Sequence, residues 1–343
     1  MKIKRTIVLF VLALTSWYGY GQDIHFSQFS ETPLLRNPAL AGIFSGDLRI
    51  QGVNKSQWSS VTVPFQTSSI NAEYKMPVGK GDDFLSLAAE VVYDKAGTVA
   101  LTTTEVLPAL NYNKSLSASR NMYLSLGFMG GFVQRRIDRS KITTNSQYDG
   151  SGYVPGSSNG ETFSGNGYSY MDGSVGMSLN SELGDKPDDN FYVGVAYHHF
   201  NKASKISFYG NDMVALQPKW VLSAGLRSGL NDYSYVTFYA DYTKQNPNTE
   251  VMAGALYTYK LDDDVDNAKY MIEAGSYIRW GDAVIPVAKL YFLPYSIAIS
   301  YDVNISKLTT ASQARGGFEV SLVYQRSFQR YNSARDGTRC PRF

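Results

Sequence analysis

A strict alternation of side-chain size constrains the fold of this chain more than any other feature. It is clearest in PYSIAISYDVN, residues 294–304, where every second residue is large and apolar. The large residues share one parity and the small or polar ones share the other: Tyr295, Ile297, Ile299 and Tyr301 against Ser296, Ala298, Ser300 and Asp302. Successive side chains of a β-strand point to opposite faces, so this stretch predicts a strand with one apolar face.

The alternation recurs along the chain and predicts fourteen strands, at roughly 47–57, 65–75, 83–94, 99–113, 121–135, 168–180, 191–201, 219–229, 233–243, 250–260, 270–280, 283–293, 295–303 and 316–328. Most are near the ~9–11 residues that a tilted strand needs to cross a bilayer. The polar faces carry small, uncharged and occasionally acidic groups, which suits a barrel lumen. We therefore predict an all-β fold, a transmembrane antiparallel β-barrel of about 14 strands over residues 47–328.

Composition is compatible with this fold and excludes some functions. The 343 residues include 26 Tyr and 30 Gly, which fits a β-rich chain, although a soluble β-sandwich would fit as well. The net charge of +2 gives no reason to expect a nucleic-acid partner. Cys340 is the only cysteine, so no internal disulfide can form; we expect this thiol to have a packing role, and an intermolecular contact is the alternative.

The first 21 residues predict a signal peptide. Lys2, Lys4 and Arg5 precede the apolar run TIVLFVLALTSW, and Gly19 and Gly21 form a small-x-small cleavage pattern. We expect the mature chain to begin at Gln22; an N-terminal anchor helix is the alternative.

The order of the strands predicts which connections face outward. If both chain ends lie in the periplasm, the three longest connections, 136–167, 202–218 and 304–315, all fall on the outer side. Trp58, Trp220 and Trp280 lie at strand ends on that same side, where a membrane-interface belt would place them. The Gly/Ser/Asn-rich loop 136–167 includes Tyr148 and Tyr153 as candidate partner-binding residues; a merely solvated loop is equally compatible.

Residues 22–46 precede the first predicted strand. Asn37 followed by Pro38 and ALAG suggests a cap, a proline at the first helical position and a short turn ending in Gly. We expect this segment to form a plug in the lumen or a strap across the inner face, and Asn37 and Pro38 are candidate contact residues.

Three stretches of the chain are distinctive: QFSETPLLRNPALAG at 28–42, QGVNKSQW at 51–58, and YDVNISKL with GGFEVSLVY at 301–324, before the terminal CPRF. Together they resemble the PorP/SprF family of type IX secretion system outer-membrane proteins of Bacteroidota. The resemblance implies a barrel in the cell outer membrane, in contact with its lipid. It also implies partners: secreted adhesins or cargo with a C-terminal sorting domain, and periplasmic parts of the secretion or gliding machinery.

The sequence gives little support for a metal or catalytic site, and we predict no cofactor, no metal site and no enzyme activity. Asp262, Asp264 and Asp266 partly follow a calcium-loop spacing, but Asn267 stands where that motif needs Gly, so a solvated acidic turn is the better interpretation. His198 and His199 are adjacent and would point to opposite faces of a strand. A barrel hydrolase would need a Ser/His pair near one rim.

The tail 329–343 is basic. Arg335, Arg339 and Arg342 are candidates for docking an acidic periplasmic partner, although they also fit a solvated rim. The function predicted is non-enzymatic anchoring or export of a secreted surface protein. The alternative is a small-molecule diffusion or uptake channel, with 22–46 as a hatch.

Overall fold

The structure is a computed structural model that describes residues 23–58, 63–79, 81–154, 156–184, 188–204, 206–210, 215–306, 309, 313 and 315–328; the side chain of Asp266 lies outside this description. The predicted signal peptide 1–21 and tail 329–343, with Arg335, Arg339, Cys340 and Arg342, lie outside the described residues and stay predictions. Within the described part, no helix is both long and apolar enough to span a membrane.

Fourteen antiparallel strands form a closed barrel, which confirms the predicted fold class. They are β1 Leu48–Gln57, β2 Phe65–Pro77, β3 Phe84–Ala96, β4 Leu101–Ser117, β5 Met122–Arg136, β6 Gly167–Glu182, β7 Asn190–His198, β8 Lys219–Asn231, β9 Ser234–Gln245, β10 Asn248–Lys260, β11 Tyr270–Arg279, β12 Ala283–Phe292, β13 Tyr295–Asn304 and β14 Arg315–Arg326. β1 pairs with β2 on one side and with β14 on the other, so the first and last strands join and no sheet edge is left open.

The predicted alternation becomes the two faces of the wall. In β13 the residues alternate strictly between exposed and buried: Tyr295, Ile297 and Ile299 are exposed, whereas Ser296, Ala298 and Ser300 are buried. Apolar side chains thus cover the outside, as contact with lipid requires, and polar side chains face the lumen. β7 is shorter than predicted, because His199 has a positive φ of 58° that ends the extended conformation.

The two ends of the barrel differ. The connections 137–166, 199–218 and 305–314, the three longest, share one end, which we call the long-loop end. β1 begins and β14 ends at the opposite end, which we call the short-turn end. Trp58, Trp220 and Trp280 lie at the long-loop ends of their strands, as predicted. Their assignment to an interface belt remains a prediction.

Residues 23–47, which we call the plug, lie inside the lumen. Ala39, Ala41 and Phe44 are fully buried, and Leu34 and Ala41 belong to one apolar cluster with the wall residues Leu107 and Met129. A second cluster joins Phe29 of the plug to wall residues of β10–β12. The N-terminal segment therefore occupies the lumen and is not a strap across one mouth.

Candidate functional site

The plug is built around the predicted Asn37–Pro38 element. The Asn37 side chain accepts a hydrogen bond from the Ala39 N–H at 2.8 Å and caps a 3₁₀ turn, Pro38–Leu40, whose first residue is proline. The same side chain donates to the carbonyls of Met177 and Val195 in the wall, at 3.1 and 3.3 Å. Asn37 and Pro38, candidates for contact with a partner, are buried here against the barrel's own wall.

Arg36 makes the most extensive charged contact between plug and wall. It ends the short helix α1, Pro33–Arg36, and donates to both carboxylate oxygens of Asp241 at 2.5 Å and to the Tyr192 hydroxyl at 2.7 Å. The guanidinium meets both carboxylate oxygens, so Arg36 and Asp241 form a buried, bidentate ion pair.

Other wall carboxylates bind the plug backbone. Glu319 accepts the N–H groups of Ser27 and Gln28, each at 2.8 Å. Glu73 accepts the Gly42 N–H at 2.8 Å while it also pairs with Arg49. Buried carboxylates in a membrane wall need such partners, since an unpaired charge there is costly.

Two wall glycines leave room for the plug. A Cβ added at Gly127 would lie 2.4 Å from the Ala39 nitrogen, and one at Gly176 would lie only 1.9 Å from Oδ1 of Asn37. Both positions face the lumen, where the plug backbone lies against Gly127 and the Asn37 side chain lies against Gly176.

A charged cluster holds the start of the plug at the long-loop end. Asp23 accepts from His199 Nε2 and Lys219, both at 2.7 Å, and Nδ1 of His199 faces Asp172 at 2.8 Å. Both ring nitrogens meet carboxylates, so His199 is the doubly protonated imidazolium. Burial opposes this charge, but Asp23 and Asp172 raise the pKa of His199 to about 9, whereas Lys219 and His199 hold the pKa of Asp23 well below its usual value despite burial.

The two adjacent histidines do not point to opposite faces as expected. β7 ends at His198, and the left-handed turn at His199 brings both rings to the lumen side, with centroids 6.2 Å apart. His198 Nε2 contacts the Arg36 carbonyl at 3.1 Å and Nδ1 contacts the Ser174 hydroxyl at 2.9 Å. Because a carbonyl only accepts, Nε2 carries the proton and Nδ1 accepts from Ser174.

A Ser/His contact therefore exists, but both of its members are buried beside the plug and both ring nitrogens are occupied. The contact links the wall to the plug backbone, and this structural role accounts for both hydrogen bonds.

Small cavities lie between the described plug and wall residues, and three of them are as follows. One of about 90 Å³ lies at the long-loop end beside Phe29, Val221 and Met252. One of about 40 Å³ adjoins Glu105, Arg135 and His199, and one of about 190 Å³ opens toward the short-turn end beside Arg227 and Tyr291. All three are smaller than the about 300–1,000 Å³ typical of small-molecule sites.

The loop 137–166 is locally ordered. Thr144 and Gln147 form a capping box, and Tyr148 and Tyr153 form an antiparallel bridge with ring centroids 5.9 Å apart. Phe163 stacks on Tyr209 of the neighbouring loop at 5.1 Å, and the Ser164 N–H donates to the Phe208 carbonyl. Tyr148 and Tyr153 remain 60% and 42% exposed. We call this group, Tyr148, Tyr153, Phe163 and Tyr209, the long-loop surface.

In the acidic turn at 262–267, the described carboxylates of Asp262 and Asp264 contact groups in or next to the same turn. Asp262 accepts the backbone N–H groups of Lys269 and Tyr270, and Asp264 faces the amide of Asn267. Among the described residues, no group of three His, Cys, Asp or Glu side chains is arranged to hold a metal ion. The carboxylate of Asp262 therefore organises the turn.

The model of the type IX secretion system membrane protein PorP/SprF family matches residues 19–324. The chain belongs to this family. Family membership and the barrel together make it an outer-membrane protein. No curated protein sequence matches it.

Several solved barrels are distantly similar to this PorP/SprF chain. The CymD monoaromatic hydrocarbon channel is 12% identical, with a TM-score of 0.47 over 91% of this chain and 96% of that one. The P. putida toluene transporter TodX is 10% identical, with a TM-score of 0.48 over 88% and 95%. The translocator domain of autotransporter NalP from Neisseria meningitidis is 10% identical, with a TM-score of 0.37 over 82% and 89%.

The sequence pointed to the plug but missed its wall partners. Arg36, Asp241, Glu73 and Glu319 were not singled out as a group. A signal was present: a carboxylate at a lumen-facing position of a membrane strand requires a cation or hydrogen-bond donor nearby. Which donor it would be depends on contacts between residues far apart in the sequence.

Proposed function

We propose that this PorP/SprF protein is a non-enzymatic anchor that holds a secreted surface protein at its long-loop end. The family's role in type IX secretion supplies the context. The observation that carries the proposal is the combination of a lumen filled by the plug with an ordered, aromatic long-loop surface.

The long-loop surface suits a protein partner. The loop combines Tyr with Ser, Gly and Asn, as protein-binding loops commonly do, because tyrosine supplies large contact area at low conformational entropy. Local hydrogen bonds hold the aromatic groups in place before any partner binds, which reduces the entropy lost on binding. The partner class that fits the family is an adhesin or other cargo with a C-terminal sorting domain.

Contact with periplasmic machinery is the second part of the proposal. The tail 329–343 follows β14 at the short-turn end, and its Arg335, Arg339 and Arg342 suit an acidic partner. Replacing these three residues with Ser is expected to remove the periplasmic components that co-purify; unchanged co-purification of every component would contradict this part.

The channel alternative has less support, because ion pairs fix the plug in the lumen. We expect the wild-type barrel to show little conductance in planar bilayers. Solute-dependent conductance in the purified wild type would favour the channel.

The anchor is tested by purifying the protein from its native membrane and identifying the proteins that accompany it. The double variant Tyr148→Ala/Tyr153→Ala is expected to lose the surface protein. Tyr295→Ala is a matched control, because Tyr295 is similarly exposed, at 44%, but faces lipid at the other end. Retention of the same surface protein by the double variant would contradict the role of these tyrosines, and absence of any secreted protein in the wild type would contradict anchoring.

A further inference from the structure

The plug has a direction. Its first described residue, Asp23, contacts His199, Lys219 and Gln245, which lie at the long-loop ends of β7, β8 and β9. Its last residue, Asp47, lies at the short-turn end, where its carboxylate accepts the Phe328 N–H and its backbone N–H donates to the Arg326 carbonyl. The chain therefore crosses the lumen from the long-loop end to the short-turn end before β1 begins.

Between these two ends, residues of the plug form hydrogen bonds with residues of the wall. Gln28 donates to Ser300 and the Glu319 carbonyl, and it accepts from Ser321. Further along, the Ala39 and Ala41 carbonyls accept from the Asn111 amide at 3.0 and 2.7 Å. These hydrogen bonds fix the plug so that it runs from the long-loop end to the short-turn end.

The surrounding wall limits where the chain can come from. Every strand is paired on both sides, so no polypeptide passes between strands without breaking ladder hydrogen bonds. Near Asp23, cavities of about 90 Å³ and 40 Å³ lie between the described plug and wall residues. Cavities of this size do not hold a second pass of chain back down the lumen beside Asp23.

We propose that the mature chain enters the barrel from outside the cell, so that Asp23, the first described residue, lies at the extracellular mouth beside the long-loop surface. The outward direction comes from the general rule that long connections of outer-membrane barrels are extracellular. This differs from the topology expected from the sequence, in which both chain ends lie in the periplasm.

The charged cluster at the mouth is the anchor of this arrangement. Asp23 bridges His199 and Lys219, and Asp172 holds the other side of the His199 ring. The contact fixes the entry point of the plug next to the loop 199–218. An extracellular partner bound at the long-loop surface would therefore lie close to the amino end of the mature chain.

The experiment places a short hydrophilic epitope between Gln22 and Asp23 and detects it with an antibody on intact cells. Control epitopes are inserted after Ser151, in the long loop, and after Asp263, at the short-turn end. Ser151 and Asp263 are both exposed. We expect the Gln22 and Ser151 epitopes to be detected on intact cells, and the Asp263 epitope only after the outer membrane is permeabilised.

Detection of the Gln22 epitope only after permeabilisation, with the Ser151 epitope visible on intact cells, would overturn this inference and leave the anchoring function intact. The reverse pattern for the Ser151 and Asp263 epitopes would overturn the orientation, and with it both proposals. If the insertion prevents folding, Ile24→Cys in a Cys340→Ser background, treated with a membrane-impermeant maleimide, gives the same readout without added chain. Reaction of the introduced thiol with the maleimide in intact cells supports the proposal, and reaction only after the outer membrane is permeabilised refutes it.

Discussion

The two faces of the barrel wall obey different rules. On β13, Ile297 and Ile299 face outward and meet lipid, where any apolar side chain of similar size would serve. One residue away, Ser300 accepts a hydrogen bond from Gln28 of the plug, and Asp302 meets Ser27, Lys55 and Arg279. The outer face requires only apolar side chains, whereas each lumen-facing residue requires its own hydrogen-bond or ion-pair partner. Substitutions on the two faces should therefore destabilise the barrel for different reasons.

The largest effect is expected on the lumen face, from Arg36→Ala. This change leaves the Asp241 carboxylate buried without its cation, and breaking a buried pair in this way typically destabilises by about 3–5 kcal/mol. Urea unfolding in detergent measures the loss, and bilayer conductance reports any release of the plug. Lys114→Ala is the control, because the Lys114–Asp83 pair has its lysine 55% exposed, and an exposed pair of this kind contributes little to stability. Equal losses in the two variants would show that the plug contacts are no stronger than a surface pair.

The outer face is tested by Ile299→Arg. Ile299 is exposed near the middle of β13, and an arginine on the lipid face at mid-membrane costs about 2–4 kcal/mol in a barrel. Ile299→Leu should be nearly neutral, because only apolar character is required there. Folding into lipid vesicles, followed by denaturant titration, measures both variants. A costly Ile299→Leu would indicate that the outer face also packs against a specific protein neighbour.

A smaller effect should follow from Gly127→Ala. The added Cβ would meet the backbone of Pro38 and Ala39, and overpacking of this kind costs about 1–3 kcal/mol. Gly52→Ala is the matched control on the outer face, where an added Cβ would lie 4.0 Å from the Ser69 carbonyl oxygen. We expect Gly127→Ala to loosen the plug, measured as faster hydrogen exchange of plug amides, and Gly52→Ala to leave that rate unchanged. Identical exchange in both variants would mean that the plug does not press on Gly127.

This contrast explains how much the sequence could predict. Period-two alternation predicted all fourteen strands and the closed barrel, because lipid and lumen impose opposite polarity on alternate residues. It also predicted the Asn37 cap, because capping depends on residues close in sequence. It could not predict that Arg36 meets Asp241 or that His199 meets Asp23, because those pairs depend on how the plug threads the lumen. The turn at His199 was missed because His198 and His199 read as a continuing strand.

The smallest effect concerns the charged cluster at the mouth of the lumen and its dependence on pH. The pKa of His199 is raised to about 9 from its usual 6.5, so its charged form is stabilised by folding. This contribution is complete below pH 6.5 and is lost as the pH rises through about 9. Asp23 has a lowered pKa, so its contribution is complete above its usual range and lost only in acid. Other titratable groups face the cluster from neighbouring elements: Glu105, Arg135, Tyr170, Asp172, His198 and Lys219.

Comparison with His199→Gln isolates the histidine from those neighbours. The variant keeps a polar side chain but has no charge to lose, so its stability should fall less than that of the wild type between pH 7 and 10. Because Asp23 is partly open to solvent, we expect the difference to be about 1 kcal/mol, and salt should reduce it further. Parallel pH profiles for the two proteins would mean that His199 carries no stabilising charge, and the charge that holds the Asp23 carboxylate would then be that of Lys219. Whichever group holds Asp23, the contact joins a lumen-facing strand end to a segment far away in the sequence. Such long-range contacts distinguish the lumen face from the outer face, which meets lipid.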